Sequence, residues 1–386
     1  MNNYIKSHPA LLLLEDGTVF RGNAAGKIGT TSGELCFNTG MTGYQEIFTD
    51  PSYVGQILVA ASPHIGNYGI HSNEVESESV KIAGLVCKKF SQPYSRASAS
   101  TSIQNYFEDN GLIGISDVDT RAIVRQIRNL GAMNAIISSD GTDLQELKER
   151  LKKVPSMNGL ELSSMVSTKK PYFLGIKNAT YKVAVLDLGV KKNILRCLID
   201  RDCFLQVFPV DTTINEIKRF NPDGIMLSNG PGDPSAMPDI VTNVKNYINS
   251  EIPIFGICLG HQIIALASGL STYKMNNGHR GVNHPVKNLK TGKCEVTSQN
   301  HGFVVSREEA EKNECIEVTH IHLNDNTLAG FKIKEKNVFS VQFHPEASAG
   351  PNDSRYLFDE FISCMNDNNK LSKQITPKTK KGLSKS

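Results

Sequence analysis

Apolar residues follow two different rhythms along the chain, and the change between them comes near residue 180. Beyond that point, short apolar runs alternate with amphipathic stretches. Residues 183–187 and 204–210 read as buried strands, 192–199 and 214–220 as helices, and further strands begin at Gly224 and Ile252. Strict strand–helix alternation predicts an α/β domain with an open, mainly parallel sheet and flanking helices. Near its end, Asp353 is placed to cap a helix whose apolar face is Leu357, Phe358, Phe361, Ile362 and Met365. The first 150 or so residues differ, with short strands at 11–14, 19–21 and 57–61 broken by Asp-Gly and proline-containing turns. One helix is expected over 118–130, with Ser116 and Asp119 in capping-box positions and Gly131 as its stop. This predicts a smaller α+β domain over 1–155, a Ser-, Lys- and Pro-containing linker over 156–181, the α/β domain over 182–369 and a tail over 370–386.

Composition narrows the class without naming a chemistry. At 39% hydrophobic and 21% charged residues, with no apolar run near the ~18 residues that cross a bilayer, the chain reads as a soluble protein with no membrane role. The formal charge of +3 is a property of the tail, which holds six lysines and no acid and leaves 36 basic against 39 acidic residues elsewhere. That tail has little apolar content and no interleaved aromatics, so it is expected to be disordered and no nucleic-acid partner is expected. Eight cysteines are scattered without a Cys-x-x-Cys pair, which fits reduced thiols and a cytoplasmic location. His320-x-His322 could offer two imidazoles to a metal, but no acidic or thiol cluster nearby completes a set. The pair is read as a solvated strand face, and no metal is expected.

The chemistry concentrates at Pro253-Ile254-Phe255-Gly256-Ile257-Cys258-Leu259-Gly260-His261-Gln262, an apolar strand that breaks on two glycines around one cysteine and resumes as a helix. Glycines at 256 and 260 permit a tight strand-to-helix turn. A thiol presented there faces the unpaired N–H groups of a helix start, a setting that favours the thiolate. Near the other end, Val338-Phe339-Ser340-Val341-Gln342-Phe343-His344-Pro345-Glu346 reads as a strand closing in His-Pro-Glu. Extended residues two apart face the same way, so the imidazole and carboxylate can sit side by side as a base and the group that orients it.

Together these two segments resemble the class I glutamine amidotransferases, with the resemblance running over about 182–366. A third element of that family is Leu227-Ser228-Asn229-Gly230-Pro231-Gly232-Asp233-Pro234, whose glycines let backbone N–H groups approach a substrate. Gly278-His279-Arg280-Gly281-Val282-Asn283-His284-Pro285-Val286 matches imperfectly, since the family commonly has glycine in place of Val282 and an aromatic in place of Asn277, while Ser298-Gln299-Asn300-His301-Gly302-Phe303 matches well. In the first half, Glu15-Asp16-Gly17-Thr18, the run from Gly33 to Glu46, Thr49-Asp50-Pro51-Ser52-Tyr53 and Pro63-His64-Ile65-Gly66-Asn67 are similar to the small subunits of glutamine-dependent carbamoyl phosphate synthetases. With this half the resemblance extends over about 10–366.

The resemblance implies Cys258, His344 and Glu346 as a catalytic triad and Ser52, Gly230, Gly232, Leu259, Gln262, Asn300, Gly302 and Phe303 as contacts to L-glutamine. It implies a large synthetase subunit as partner, in a heterodimer or higher oligomer, with ATP and magnesium bound there. No Gly-x-x-x-x-Gly-Lys loop occurs in this chain, so no cofactor is expected in it. It further implies that the ammonia released goes into carbamoyl phosphate for arginine and pyrimidine synthesis. Two alternatives stand beside this reading: an amidotransferase serving another synthetase, which would share only the second half, and a non-enzymatic homologue, which has no need of the three catalytic side chains.

Overall fold

In the computed structural model, which describes residues 8–375, the first half rolls into a closed seven-stranded barrel. Around the barrel the strands run Pro9–Leu14, Val19–Gly26, Ile113–Ser116, Gly84–Val86, Gln56–Ala60, Thr30–Asn38 and Asn134–Ser138, and the last pairs with the first. Alternation explains the closure. Leu12, Leu14, Leu35, Ile57, Val59, Ile115, Ala135 and Ile137 fall on one side of their strands and fill a common core. The intervening Cys36, Leu58 and Ala60 face outward into a second core with Tyr44, Phe48, Tyr53 and Phe107. Full pairing leaves the sheet without an open edge, a feature that the α+β expectation for 1–155 did not contain. The helix Thr120–Leu130 stops at Gly131, with φ +97°, as expected. Its cap is Asp119, which accepts from the Ala122 N–H at 3.0 Å, whereas Ser116 ends the preceding barrel strand and takes no part in capping.

The second half builds a ten-stranded sheet in the order Tyr172–Leu174, Cys203–Phe208, Tyr181–Leu186, Gly224–Leu227, Ile254–Ile257, Val338–Val341, Leu328–Ile333, Ile316–His322, Thr272–Asn288 and Cys294–Val305. Cys203–Phe208 through Val338–Val341 are five parallel strands, but every other pairing is antiparallel. The expected mainly parallel sheet is therefore a mixed one, because after residue 270 the chain returns by hairpins instead of helical crossovers. Parallel strands buried on both faces read as continuous apolar runs, and Gly224–Leu227 and Ile254–Ile257 are buried throughout. Odd and even positions divide between two cores. Ile225, Leu227 and Ile254 pack under the helices Pro238–Ile248 and Leu259–Ala267, while Met226, Phe255 and Ile257 pack against Leu357, Phe358, Phe361 and Met365 of the last helix.

Three further expectations change. The 156–181 stretch is no plain linker: Met157 and Leu162 pack with Phe303, Glu161 bridges to Gly232, and Tyr172–Leu174 forms an edge strand of the large sheet. Asp353 accepts from the Val296 N–H at 3.0 Å, so it ties the last helix to a hairpin strand instead of capping it. That helix runs Tyr356–Ile375, past residue 370 where a disordered tail was expected to begin; residues 376–386 lie outside the described part of the chain. Among the described residues no helix is long and apolar enough to cross a membrane.

Phe255 joins the central strand to the closing helix, stacking on Phe339 at 4.5 Å and meeting Phe358 edge-on at 5.7 Å. Phe255→Ala should cost about 3–5 kcal/mol of stability, measured as a shift in urea midpoint at constant slope; a loss under about 1 kcal/mol would show that the two halves of this core do not depend on the ring.

Candidate active site

Cys258 sits between the strand Ile254–Ile257 and the helix Leu259–Ala267 with φ 54° and ψ −103°, a conformation that costs a non-glycine residue of order 1–3 kcal/mol. Packing around it imposes the turn. A Cβ on Gly256 would lie 2.5 Å from Ile264 Cδ1, and one on Gly260 2.4 Å from the Leu227 carbonyl, so helix and strand close together only over bare backbone. The sulfur is almost wholly buried. It donates to the Asn300 carbonyl at 3.6 Å and accepts from Gln342 Nε2 at 3.7 Å. Directly after it, the Leu259 N–H opens the helix and has no intrahelical acceptor.

The strand Val338–Val341 ends before the histidine, but the Ser298 carbonyl accepts from the His344 N–H at 2.9 Å and carries the extended chain on. His344 Nδ1 lies 2.7 Å from Glu346 Oε1, as the two-residue spacing predicts. Its Nε2 is buried, makes no hydrogen bond of regular geometry, and faces the Cys258 sulfur. Burial and the nearby Lys191 charge both disfavour a protonated ring. Glu346 and the Cys258 sulfur outweigh them and push His344 up from 6.5 to about 10. For Glu346, burial acts to raise the carboxyl, but Lys191 and His344 hold it down at about 2.

Lys191 is the residue that sequence reading missed here. Its Nζ is 2.5 Å from Glu346 Oε1, with both side chains buried. Against the cost of its own burial, Glu346, Asp50 and Glu76 hold it above its ordinary value. Glu76 arrives from the barrel half, where its Oε2 accepts from the Asn193 N–H at 3.0 Å, and burial, only partly offset by Lys191, pushes it up to about 7. A lysine just before a helix in the second half and a glutamate in a loop of the first have no sequence pattern that joins them.

Ser52, Gly230, Gly232, Gln262, Asn300, Gly302 and Phe303 line one pocket with Cys258; Leu259 is not among the lining residues, but its side chain lies against Gly230 of that wall. Gln262 is partly committed already, since its Nε2 donates to the Phe303 carbonyl at 2.8 Å and to Gln342 Oε1 at 3.0 Å. The pocket wall is shared between the halves to a degree not foreseen. Asp50 accepts from Asn300 Nδ2 at 3.0 Å and from the Ser52 N–H at 2.9 Å, and Asn229 Nδ2 donates to Ser52 Oγ at 2.9 Å. Glu34 and Gln56 of the barrel and Arg280 of the large sheet also border it. The His320-x-His322 pair, expected on a solvated face, is buried.

Residues 184–364 match the family model for class-I glutamine amidotransferases, and residues 12–137 match that of the carbamoyl-phosphate synthase small chain. The carbamoyl phosphate synthase small chain of Chlorobaculum tepidum is 46% identical over 359 residues, covering 92% of this chain and 98% of its own. That of Staphylococcus epidermidis is 47% identical over 364 residues, covering 94% and 98%, and that of Thermotoga maritima 43% over 384 residues, covering 92% and 98%. The chain belongs to the carbamoyl phosphate synthase small-chain family. With its amidotransferase domain, it is the glutamine-hydrolysing subunit of that enzyme.

Within this small chain the two raised and lowered groups act on stability at opposite ends of the pH scale. His344, raised when folded, contributes stability that is complete below its ordinary 6.5 and is lost as pH climbs through about 10. Glu346, lowered when folded, contributes stability present above 4.5 and lost as pH falls through about 2. Urea denaturation between pH 6.5 and 10 should therefore show the wild type losing stability relative to His344→Gln; parallel curves for the two proteins would rule out a buried imidazolium.

Proposed function

We propose that this chain hydrolyses L-glutamine through Cys258, His344 and Glu346 and hands the ammonia to a large synthetase subunit. The observation that carries this is the thiol on its strained elbow facing a histidine that the Glu346 carboxylate and Lys191 hold in place. His344, raised and facing the sulfur, is placed to take the Cys258 proton as the thiol attacks, and the protonated ring then serves as the acid toward the departing nitrogen.

The Cys258 sulfur attacks the side-chain amide carbon, and the N–H groups of Leu259 and Gly232 stabilise the oxyanion. His344 Nε2 gives its proton to the amide nitrogen as the C–N bond breaks, releasing ammonia and leaving a thioester. Now neutral, the ring takes a proton from the water that attacks the thioester; glutamate departs, and the proton returns to the sulfur. Glu346 keeps the tautomer and orientation of the ring throughout. Ser52, Gly230, Gly232, Gln262, Asn300, Gly302 and Phe303 hold the glutamine, with Asp50 and Asn229 fixing Ser52 and Asn300.

Ammonia in neutral water is largely protonated and no longer nucleophilic, which makes sheltered delivery to the partner part of the function. ATP and magnesium belong to that partner, and its carbamoyl phosphate serves arginine and pyrimidine synthesis in the cytoplasm. In the assembled complex, Cys258→Ser should abolish synthesis from glutamine and leave synthesis from added ammonia intact; loss of both would sink the assignment. Glu346→Ala should lower glutamine turnover by roughly 10–100-fold less than His344→Ala does, read from steady-state glutaminase rates. Equal losses would make the carboxylate structural.

A further inference from the structure

Four imidazoles, those of His279, His284, His301 and His322, gather at the antiparallel end of the large sheet beside Asp325, and glutamine hydrolysis uses none of them. His279 and His284 come from the strand Thr272–Asn288, His322 ends the strand Ile316–His322, and Asp325 lies in the turn that follows. The rings of His279 and His322 stack with centroids 4.0 Å apart. Asp325 reaches both, its Oδ2 2.8 Å from His279 Nε2 and its Oδ1 3.2 Å from His322 Nδ1. One donor atom from each of the three lies within 4.8 Å of the other two.

Hydrogen bonding accounts for only part of this arrangement. A proton on His279 Nε2 accounts for its contact with Asp325, and Nδ1 is buried without a hydrogen-bond partner whether a proton or an ion sits at Nε2. His322 Nδ1 accepts from the Asn324 N–H at 3.3 Å, and its Nε2 lies 3.1 Å from His284 Nδ1, so the ring proton belongs on Nε2. Nδ1 then presents a lone pair to a carboxylate oxygen 3.2 Å away. Two acceptors at that distance repel unless a positive charge lies between them, either a second ring proton that pairs His322 with Asp325 as an imidazolium or a metal ion.

We propose that His279, His322 and Asp325 form a binding site for a divalent transition-metal ion of the zinc class. Two imidazoles and one carboxylate suit zinc or cobalt, whereas magnesium and calcium take all-oxygen sets. The ion occupies the place of the proton between His279 Nε2 and Asp325, and the His279 ring carries its proton on Nδ1 instead. His284 holds the tautomer of His322 from behind, the outer-shell arrangement common at metal-bound histidines. Asp325, partly exposed, gives the ion its way in from solvent. The no-metal expectation arose because only His320-x-His322 was visible as a pair. His320 turns elsewhere, to Thr319 Oγ1 at 2.9 Å and the Tyr356 hydroxyl at 3.3 Å, while His279 is supplied by a strand far away in sequence. A bound ion would tie the turn after His322 to the strand Thr272–Asn288. That strand pairs with the one carrying Asn300 and Phe303.

The test uses the full chain, stripped with a chelator and titrated with Co²⁺. One equivalent should bind with the visible spectrum of nitrogen and oxygen ligation and without thiolate charge-transfer bands, and Zn²⁺ should displace it. His322→Asn and Asp325→Asn should each weaken binding about tenfold or more, and His320→Ala should leave it unchanged. Zn²⁺ should also raise the melting temperature of the wild type and not that of the two variants. Should His322→Asn fail to fold, Asp325→Asn at the solvent rim decides the matter. No binding by the wild type, a thiolate-dominated cobalt spectrum, or unchanged affinity in Asp325→Asn would each overturn the proposal.

Discussion

Glu346 has no exposure to solvent, and a carboxylate so placed is tolerable only if a cation reaches it. Lys191 does so, and much of the molecule follows from that pairing. Because Lys191 is buried as well, it needs acidic neighbours of its own, and Glu76 and Asp50 come from the barrel half to supply them. Glu76 also receives the first N–H groups of the helix that starts beside Lys191, through its carbonyl to Lys192 and its carboxylate to Asn193. The Asn193 side chain closes the loop by donating to the Glu346 carbonyl. One dry carboxylate therefore fixes a helix start, a barrel loop and the ring of His344 at once.

The sequence made the chemistry legible where it is local. Cys258 between two glycines and His344 two residues from Glu346 are short patterns whose geometry follows from backbone rules alone, and the fold brings these side chains together. The parallel strands were legible for the same reason, since burial on both faces writes an unbroken apolar run. Illegible features depend on partners distant in the chain. Lys191 and Glu76 carry no motif, Asp50 stands in a family element only as a neighbour of Ser52, and the roles of all three arise only when a loop of one half meets a helix start of the other. The hairpins after residue 270 were hidden because their half-exposed strands mix polar and apolar residues, and register shifts between Lys274 and His279 and between Gly281 and His284 break the alternation that would mark them. Barrel closure was hidden because nothing within a strand announces which strand will be its neighbour.

The 156–181 stretch shows how composition misleads at a seam. Its serines, lysines and single proline are those of a surface connector, yet Met157 and Leu162 lie against Phe303, and Glu161 pairs with Gly232 of the glycine loop. Polar residues there satisfy backbone groups at the junction, a demand as strong as that of any core. The two halves are thus joined by covalent chain, by buried charge and by a small apolar cluster at the floor of the pocket.

Asp50 has a consequence beyond holding Asn300 and Ser52. Asp50 accepts across the seam from Asn300 at 3.0 Å, and Ser52, which it holds, accepts across it from Asn229 at 2.9 Å, contacts that weaken steeply as their angles close. A rotation of the barrel against the sheet too small to disturb either core would still dismantle the wall of the pocket. On the proposed reading of the pocket, thermodynamic linkage makes that sensitivity mutual: an agent that turned the barrel and so altered the affinity for glutamine would have its own affinity altered by glutamine by the same factor.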